Sequence, residues 1–420
     1  MRNIRFWLLS FLSVCSIGLN AQVLDSLDIK IGQMILIGMP GAEVDPIVLE
    51  EVRSGKAGNI IYFEKNIPKT NSYMAFKKMS WTYQQAAPIP LFITIDQEGG
   101  RVNRMKEKYG FPRSITAAAM GKDKKLDSVR FYGASTGATL AGVGINVNFA
   151  PCVDLAVNPN NTVIVKVERS FSPSEDTVVL MAKEFVKTHR NVGVITVLKH
   201  FPGHGSSLAD THFGIADVTN TWSERELKPY QSLLDSGYVD AIMTSHIVNK
   251  KIEPKGYPGT LSNRVMDSLL RKKMGYRGVI FSDDMQMHAI TNHYGLEDAI
   301  KLAINAGVDI MCFSNNIQGS EVRTVDKVHE IIKGFVASGQ ITKERIDESF
   351  KRIMILKLKL KDEGEYYRKE IEMYRQQALK NEEELQKQQT QLRKITDMSN
   401  SELNRALEQE KKIKKKKSKN

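Results

Sequence analysis

Short apolar runs alternate along the chain with longer stretches whose apolar residues recur every three to four positions. Continuous apolar runs of this length, each followed by a helical pattern, predict a parallel sheet covered by helices on its outer face. The eight predicted strands are MILIGM at Met34, NIIYF at Asn59, LFITID at Leu91, INVNFAP at Ile145, VITVLKH at Val194, DAIMTSH at Asp240, GVIFSDD at Gly278 and DIMCFS at Asp309. Helical patterns with polar caps or terminal glycines begin at Ser72, Glu175, Ser223 and Asp298.

The number of strand and helix units favours a closed barrel. Eight such units in about 340 residues predict an α/β fold of the (β/α)8 TIM type. Periodicity does not report closure, so an open doubly wound sheet is the alternative, although no GxGxxG follows the first strand. Polar residues stand at the C-terminal ends of many predicted strands, which share one face of a barrel. They are Asp96, Asp154, Lys199, His200, His246 and Asp283.

The chain changes character after Lys361. Residues 362–420 contain no proline, are rich in Glu, Lys, Gln and Arg, and predict a charged C-terminal helical tail. Apolar residues recur at sevens from Ile371 to Leu392, but Asn381 and Gln388 interrupt the heptad, which favours a solvated helix or a loose coiled coil. The Lys-rich end predicts at most a weak contact with anionic envelope surfaces. The oligomeric state is left open.

The first 21 residues predict a secretory signal peptide. A basic start and an apolar run from Phe6 to Leu19 precede a small residue at Ala21. The run is short for a membrane span, and Cys15 follows a bulky valine. An uncleaved anchor and a lipoprotein are therefore the lesser alternatives. The signal predicts export across the inner membrane and a periplasmic or extracellular location.

Composition narrows the classes of partner. A chain of 420 residues, 41% hydrophobic and 26% charged, can bury a sizeable core. The formal charge of +12 lies largely in the last ten residues, so the body is close to neutral and no nucleic-acid partner is expected. Beyond the signal only Cys152 and Cys312 remain, both in apolar segments. They predict buried packing residues, without a disulfide framework or zinc spacing.

Titratable side chains are concentrated in KHFPGHGSSLADTH, after the fifth predicted strand. His200 and His204 are four residues apart, but Pro202 and the glycines exclude the helix that would make them a metal pair. No metal or other cofactor is expected. Lys199 and His200 close the strand and can donate hydrogen bonds to a polar ligand.

Four carboxylates and one histidine are further candidates. Asp210 can accept a hydrogen bond from His212 and fix its tautomer, as in a general acid/base dyad, although D-x-H is more often a loop ion pair. Asp283 and Asp284 follow the seventh strand and point to opposite sides, so one can face the barrel mouth while the other braces the loop. A carboxylate at that mouth can bind metal, act as a base or attack as a nucleophile. Asp96 opens DQEGGRVNR, a ligand-binding turn or a salt-bridged loop.

Four motifs in chain order carry a resemblance to a known family. They are DQEGGRVNR at Asp96, ERSF at Glu168, KHFPGHGSSLADTH at Lys199 and GVIFSDDMQM at Gly278. Together they resemble glycoside hydrolase family 3, and most closely its single-domain bacterial branch, the β-N-acetylglucosaminidases of peptidoglycan turnover. The resemblance runs from about Leu24 to Leu360, within the predicted barrel domain of residues 22–361.

The resemblance implies a retaining exo-glycosidase that needs no metal. Its substrate would be terminal non-reducing β-linked N-acetylglucosamine, or N-acetylhexosamine, in peptidoglycan fragments or related glycans. The family pattern implies Asp283 as the nucleophile and His212, with Asp210 as its partner, as the acid/base. The residues that would contact the sugar hydroxyls are Asp96, Arg104, Arg169, Lys199 and His200.

Two departures from the family pattern concern the sugar pocket. Ser206 and Ser207 stand where the family usually has Asp-Thr, and NPNNTVIVKVERSFS lacks the glycine that usually precedes Arg-Ser-Phe. Three alternatives stay open. One is a β-glucosidase of the family, which would take its catalytic acid from a second domain. Another is a phosphorylase, which would use a histidine as acid/base because a histidine, unlike a carboxylate, does not repel phosphate. The third is a non-catalytic protein that binds sugars in the envelope.

Overall fold

The computed structural model describes residues 26–122, 125–211, 214–319, 322 and 324–360, with six isolated positions beyond them. The predicted signal peptide (1–21) and His212 lie outside the described residues. So does the predicted tail (362–420), apart from the six positions, which are helical and exposed. The predictions for these segments and for the domain boundaries stay predictions.

Eight parallel strands close into a barrel, which confirms the predicted (β/α)8 fold and excludes the open doubly wound sheet. The strands are β1 (Ile35–Gly38), β2 (Asn59–Tyr62), β3 (Phe92–Ile95), β4 (Val147–Asn148), β5 (Ile195–Phe201), β7 (Ala241–Thr244), β9 (Val279–Asp284) and β10 (Ile310–Phe313). The barrel order follows the chain, and β10 pairs with β1. A separate parallel pair consists of β6 (Ala216–Asp217) and β8 (Ile247–Val248).

Helices cover the outside of the barrel. They are α1 (Leu27–Gln33), α2 (Pro46–Arg53), α3 (Ser72–Ala86), α4 (Ala117–Gly121), α5 (Leu126–Gly142), α6 (Glu175–Arg190), α7 (Lys228–Asp235), α8 (His288–Thr291), α9 (Leu296–Ala306), α10 (Val325–Ala337) and α11 (Lys343–Lys357). Arg264–Lys273 forms a π-helical segment, and 3₁₀ turns occupy Glu64–Asn66, Glu107–Tyr109, Glu224–Leu227 and Gly259–Leu261. None of the helices in the described part of the chain has the length and apolar character needed to cross a bilayer.

The helix predicted from Ser223 differs from the observed one. It starts as the 3₁₀ turn Glu224–Leu227 and becomes α-helical only at Lys228. Pro229 stands in the first α-helical turn, where its missing N–H would have no intrahelical partner in any case. The 3₁₀ turn points Glu226 inward, and this side chain is only 2% exposed.

Burial explains why the strands read as continuous apolar runs. All seven residues of β5 are buried, including Lys199 and His200 near its end. Aromatic rings fill the barrel interior, where Phe281 lies 5.4 Å from Phe149 and 6.1 Å from Phe92 between ring centroids. Both remaining cysteines are buried and free, as predicted.

Candidate active site

The polar strand ends predicted from the sequence meet at one mouth of the barrel. Phe201 of β5 pairs with Thr244 of β7, and Met243 pairs with Phe281 of β9. Because these strands are parallel and in this register, the last residues of β5 and of β9 lie in adjacent layers at the same end.

Lys199 is the centre of a buried ion-pair network. Its Nζ lies 2.6 Å from Oδ1 of Asp96 and 2.7 Å from Oε1 of Glu98. Nη2 of Arg104 lies 3.9 Å from the other oxygen of Asp96. Burial alone would lower the pKa of Lys199, but the charges of Asp96 and Glu98 outweigh it and raise that pKa. The ammonium group is therefore a fixed charge at the mouth.

Glu98 joins this network to Arg169. The Arg169 guanidinium donates to both carboxylate oxygens of Glu98, at 2.7 and 2.9 Å. Burial by itself would raise the pKa of Glu98, but the charges of Arg169 and Lys199 prevail and hold it well below its usual range. A planar guanidinium that is bound through two of its nitrogens, here Nε and Nη2, has a fixed orientation.

His200 is held between Arg169 and Asp154. Nδ1 of His200 lies 2.7 Å from Oδ2 of Asp154, and Nε2 lies 3.0 Å from Nη2 of Arg169. A guanidinium can only donate, so Nε2 accepts, and the ring carries its proton on Nδ1. Burial alone would raise the pKa of Asp154, but the contacts with His200 and His204 lower it to about 2. The carboxylate thus fixes the ring of His200.

Three side chains that could ligate a metal also converge here, in the described part of the chain. Cys152, Asp154 and His200 bring their ligand atoms within 4.8 Å of one another. Burial raises the pKa of the Cys152 thiol, which donates to Asp154 at 3.2 Å, and the Arg169 cation adjoins His200. A protonated thiol and a neighbouring guanidinium disfavour a cation, so the group forms a hydrogen-bond network.

The two carboxylates that end β9 have different surroundings. Asp284 is buried and accepts hydrogen bonds from the Ser314 hydroxyl and from the N–H groups of Gln286 (3.0 Å) and Ser314 (3.3 Å). Burial raises the pKa of Asp284 to about 6. Asp283 is half-buried, and its backbone N–H donates to the Thr244 hydroxyl at 3.1 Å. Asp284 braces the following loop, as predicted.

Asp283 and Asp96 lie around the same buried thiol. Burial raises the pKa of Cys312, and the charges of Asp284, Asp283 and Asp96 raise it further. The carboxylates that follow or end β3 and β9 are therefore close enough to act on one residue of β10.

The segment that carries Asp210 reaches the same end of the barrel. Asp210 is half-buried, and Thr211, which follows it, is buried. The Ala289 N–H donates to the Thr211 carbonyl at 3.2 Å. Ala289 belongs to α8, which begins shortly after Asp283. This bond ties the segment between Asp210 and His212 to the chain that leaves β9.

A family model for the glycosyl hydrolase family 3 N-terminal domain matches residues 26–356. The chain belongs to glycosyl hydrolase family 3. The match covers every barrel strand and confirms the resemblance seen in the four motifs.

Curated relatives and solved structures agree with this membership. Beta-hexosaminidase A of Pseudoalteromonas piscicida is 31% identical over 75% of this chain and 55% of its own length. Beta-hexosaminidase of Tolumonas auensis is 31% identical over 68% of this chain and 84% of its own. A glycoside hydrolase family 3 beta-N-acetylglucosaminidase from Paenibacillus sp. superposes with a TM-score of 0.73 at 32% identity, covering 80% of this chain and 62% of that one. The chain thus spans about half of the Pseudoalteromonas relative and less than two thirds of the Paenibacillus structure.

Sequence reasoning missed two residues of this family 3 site. Glu98 follows Asp96 by two positions, and alternate residues of an extended segment point the same way, a signal that could have paired them. Asp154 was recognised as a strand-end residue but not as the partner of His200. That pairing depends on a contact between residues 46 positions apart, which a single sequence does not display.

The second departure from the family pattern builds the turn before Arg169. Glu168 adopts a left-handed backbone with φ of 58°, a conformation that favours glycine. Its carbonyl accepts a hydrogen bond from the Ala118 N–H at 3.2 Å. The turn that the family usually makes with glycine nearby is therefore made here by a glutamate, and Arg169 still reaches Glu98.

Proposed function

We propose that this family 3 protein is a retaining exo-glycosidase that hydrolyses terminal non-reducing β-linked N-acetylglucosamine. The relatives named beta-hexosaminidase and beta-N-acetylglucosaminidase support the choice of sugar. The observation that carries the proposal is the hydrogen bond from Ala289 to Thr211. This bond joins Thr211, the residue after Asp210, to helix α8, which follows the strand of the predicted nucleophile. It supports the proposal because the reaction needs both groups at one glycosidic bond.

In the first step, a carboxylate oxygen of Asp283 bonds to the anomeric carbon as the glycosidic bond breaks. The leaving oxygen takes that electron pair and a proton from the His212 imidazolium. Asp210 orients the ring and stabilises its positive charge. In the second step, neutral His212 takes a proton from water, the water oxygen bonds to the anomeric carbon, and Asp283 leaves as a carboxylate. Two inversions retain the β configuration.

The charged network would hold the sugar during both steps. Lys199 and Arg169 present fixed N–H donors, Asp96 presents acceptor oxygens, and all three are already oriented by neighbouring charges. Arg104 and His200 extend this set on either side. Preorganised groups of this kind lose little entropy on binding and make attack effectively intramolecular, which is worth several kcal/mol, about 7 or more in favourable cases.

The test uses two aryl glycosides and one variant. We expect turnover of 4-nitrophenyl β-N-acetylglucosaminide, much slower turnover of the matching glucoside, and the β anomer as the first product by proton NMR. Asp283→Ala should abolish turnover. A first product of α configuration, or normal rates in Asp283→Ala, would refute the mechanism. Faster release of sugar 1-phosphate than of free sugar in phosphate buffer would make the protein a phosphorylase.

The location follows from the predicted signal peptide. We propose that cleavage after Ala21 releases the protein into the periplasm or the medium, where peptidoglycan fragments or related glycans expose the same terminal sugar. Expression in a Gram-negative host, followed by fractionation and intact-mass measurement, tests this. An uncleaved protein in the cytoplasmic fraction would contradict it.

A further inference from the structure

Side chains from other elements hold the segment His204–Ser207, which we call the loop base. It lies outside the helices and strands. The Asn161 amide donates to the carbonyls of His204 and Gly205 at 2.8 and 3.1 Å. The Asn158 amide donates to the carbonyls of Ser206 and Ser207 at 3.4 and 2.9 Å. Four successive carbonyls are therefore bound by two asparagine side chains.

Two carboxylates hold the N–H groups of the same segment. The His204 N–H donates to Oδ1 of Asp154 at 2.7 Å, and the Gly205 N–H donates to Oε2 of Glu226 at 2.8 Å. Burial raises the pKa of Glu226 to about 7, although the contacts with Ser206 and Gly205 oppose this. A carboxyl group this deep in the protein serves as a hydrogen-bond acceptor for backbone.

Close packing around two glycines also restricts the position of the loop base. A Cβ on Gly205 would lie 1.9 Å from the Leu155 carbonyl oxygen, so only glycine fits there. Gly203 has φ of 119°, and a Cβ on it would lie 2.5 Å from Cβ of Glu226. These contacts explain the two glycines of the P-G-H-G sequence.

A short span connects the loop base to the predicted dyad. Beyond Ser207 the chain passes through the exposed Leu208 and Ala209 to Asp210, and Thr211 is fixed by Ala289. Three residues reach at most about 10 Å when extended, so the position of the loop base limits where Asp210 can lie.

We propose that Glu226 is a positioning residue for the acid/base step, holding the loop base so that Asp210 and His212 reach the leaving oxygen. The inference rests on the proposed function. Asn158 and Asn161 share the task from the opposite side of the loop base. The two departures from the family pattern are therefore in contact. Asn158, in the segment NPNNTVIVKVERSFS, binds the carbonyls of Ser206 and Ser207.

Displacement of the catalytic acid should slow substrates with poor leaving groups more than substrates with good ones. Poor leaving groups need a proton in the transition state, whereas 4-nitrophenolate leaves without one. We expect Glu226→Ala to lower kcat/KM for phenyl β-N-acetylglucosaminide by about tenfold or more, since a displacement on the order of 1 Å can cost a hundredfold. The loss on the 4-nitrophenyl substrate should stay below about threefold. Glu226→Gln keeps an oxygen for the Gly205 N–H and should restore most of the difference.

The matched control is Glu184→Gln on α6, which removes a buried carboxylate bonded to Arg130 of α5 and Lys187 of α6. It should leave the ratio between the two substrates unchanged. If Glu226→Ala does not fold, Asn158→Ala tests the same loop base and should show the same unequal loss. Equal losses on both substrates, no loss, or failure of both variants to fold would overturn the positioning role. An inactive wild-type protein would instead refute the proposed function.

Discussion

The guanidinium of Arg169 grips both oxygens of the Glu98 carboxylate, while Lys199 lies 2.7 Å from one of them. One buried carboxylate thus contacts two buried cations, of which Lys199 has a second carboxylate partner in Asp96. We expect Glu98→Gln to lower the free energy of unfolding by ~3–5 kcal/mol, because removal of one partner leaves uncompensated buried charge. Urea denaturation measures this loss.

The control for Glu98 is Glu64→Gln. Glu64 also accepts from two lysines, Lys106 and Lys108, but its side chain is 31% exposed. Solvent screens such pairs, so this variant should cost less than about 1 kcal/mol. Equal losses in the two variants would mean that Glu98 has no special part in the buried network.

Asp283 and Asp284 should respond to very different extents to the same substitution. Asp284→Asn keeps an oxygen for the N–H groups of Gln286 and Ser314, so kcat should fall by less than about tenfold. Asp283→Asn removes the proposed nucleophile and should lower kcat by about a thousandfold or more. Steady-state rates on the 4-nitrophenyl substrate decide between them. The reverse order of losses would transfer the nucleophilic role to Asp284.

Glu168→Gly should stabilise the protein. The left-handed backbone that Glu168 adopts destabilises a residue with a Cβ by roughly 1–2 kcal/mol. Glycine avoids this strain, but it loses more conformational entropy on folding, which offsets part of the gain. We expect a net gain of about 0.5–1 kcal/mol, seen as a higher Tm by calorimetry. Glu168→Ala keeps the Cβ and should give no gain. A similar gain in both variants would assign the effect to loss of the exposed charge.

Lys357 should make stability depend on alkaline pH. Its Nζ is buried and donates to Gln33 Oε1 at 2.6 Å and to the Gly58 carbonyl at 3.0 Å. Burial lowers the pKa of Lys357 well below 10.5 in the folded state, so the unfolded chain binds more protons between that lowered pKa and 10.5. Stability therefore rises with pH in this window, by up to ~1.4 kcal/mol per pH unit.

The measurement for Lys357 compares the wild type with Lys357→Met. Unfolding free energies from about pH 7 to about pH 10 should rise more steeply in the wild type, because methionine does not titrate. Parallel profiles for the two proteins would show that Lys357 keeps an ordinary pKa in the folded state.

The sequence predicts the barrel and much of its mouth for one physical reason. Parallel strands buried on both faces read as continuous apolar runs, and their C-terminal ends must meet. Asp96, Lys199 and Asp283 could therefore be assigned to one face before any contact was known, and the structure places them there.

Contacts between distant segments could not be predicted in the same way. Glu226 lies in a stretch that reads as an amphipathic helix, and nothing in that period shows that its first turn is 3₁₀ and directs the carboxyl to Gly205. The sequence NPNN likewise resembles an ordinary turn. The carbonyls that Asn158 and Asn161 bind lie more than forty residues away along the chain, so the sequence does not reveal these contacts.

The ion pairs around Lys199 also determine the electrical balance of the barrel mouth. Within this hydrogen-bonded network, Lys199, Arg169 and Arg104 carry three positive charges, and Asp96, Glu98 and Asp154 carry three negative ones. An uncharged sugar can enter this balanced surface without displacing a counterion. An anionic acceptor would have to compete with carboxylates that already bind the cations, which supports the proposal that water is the acceptor.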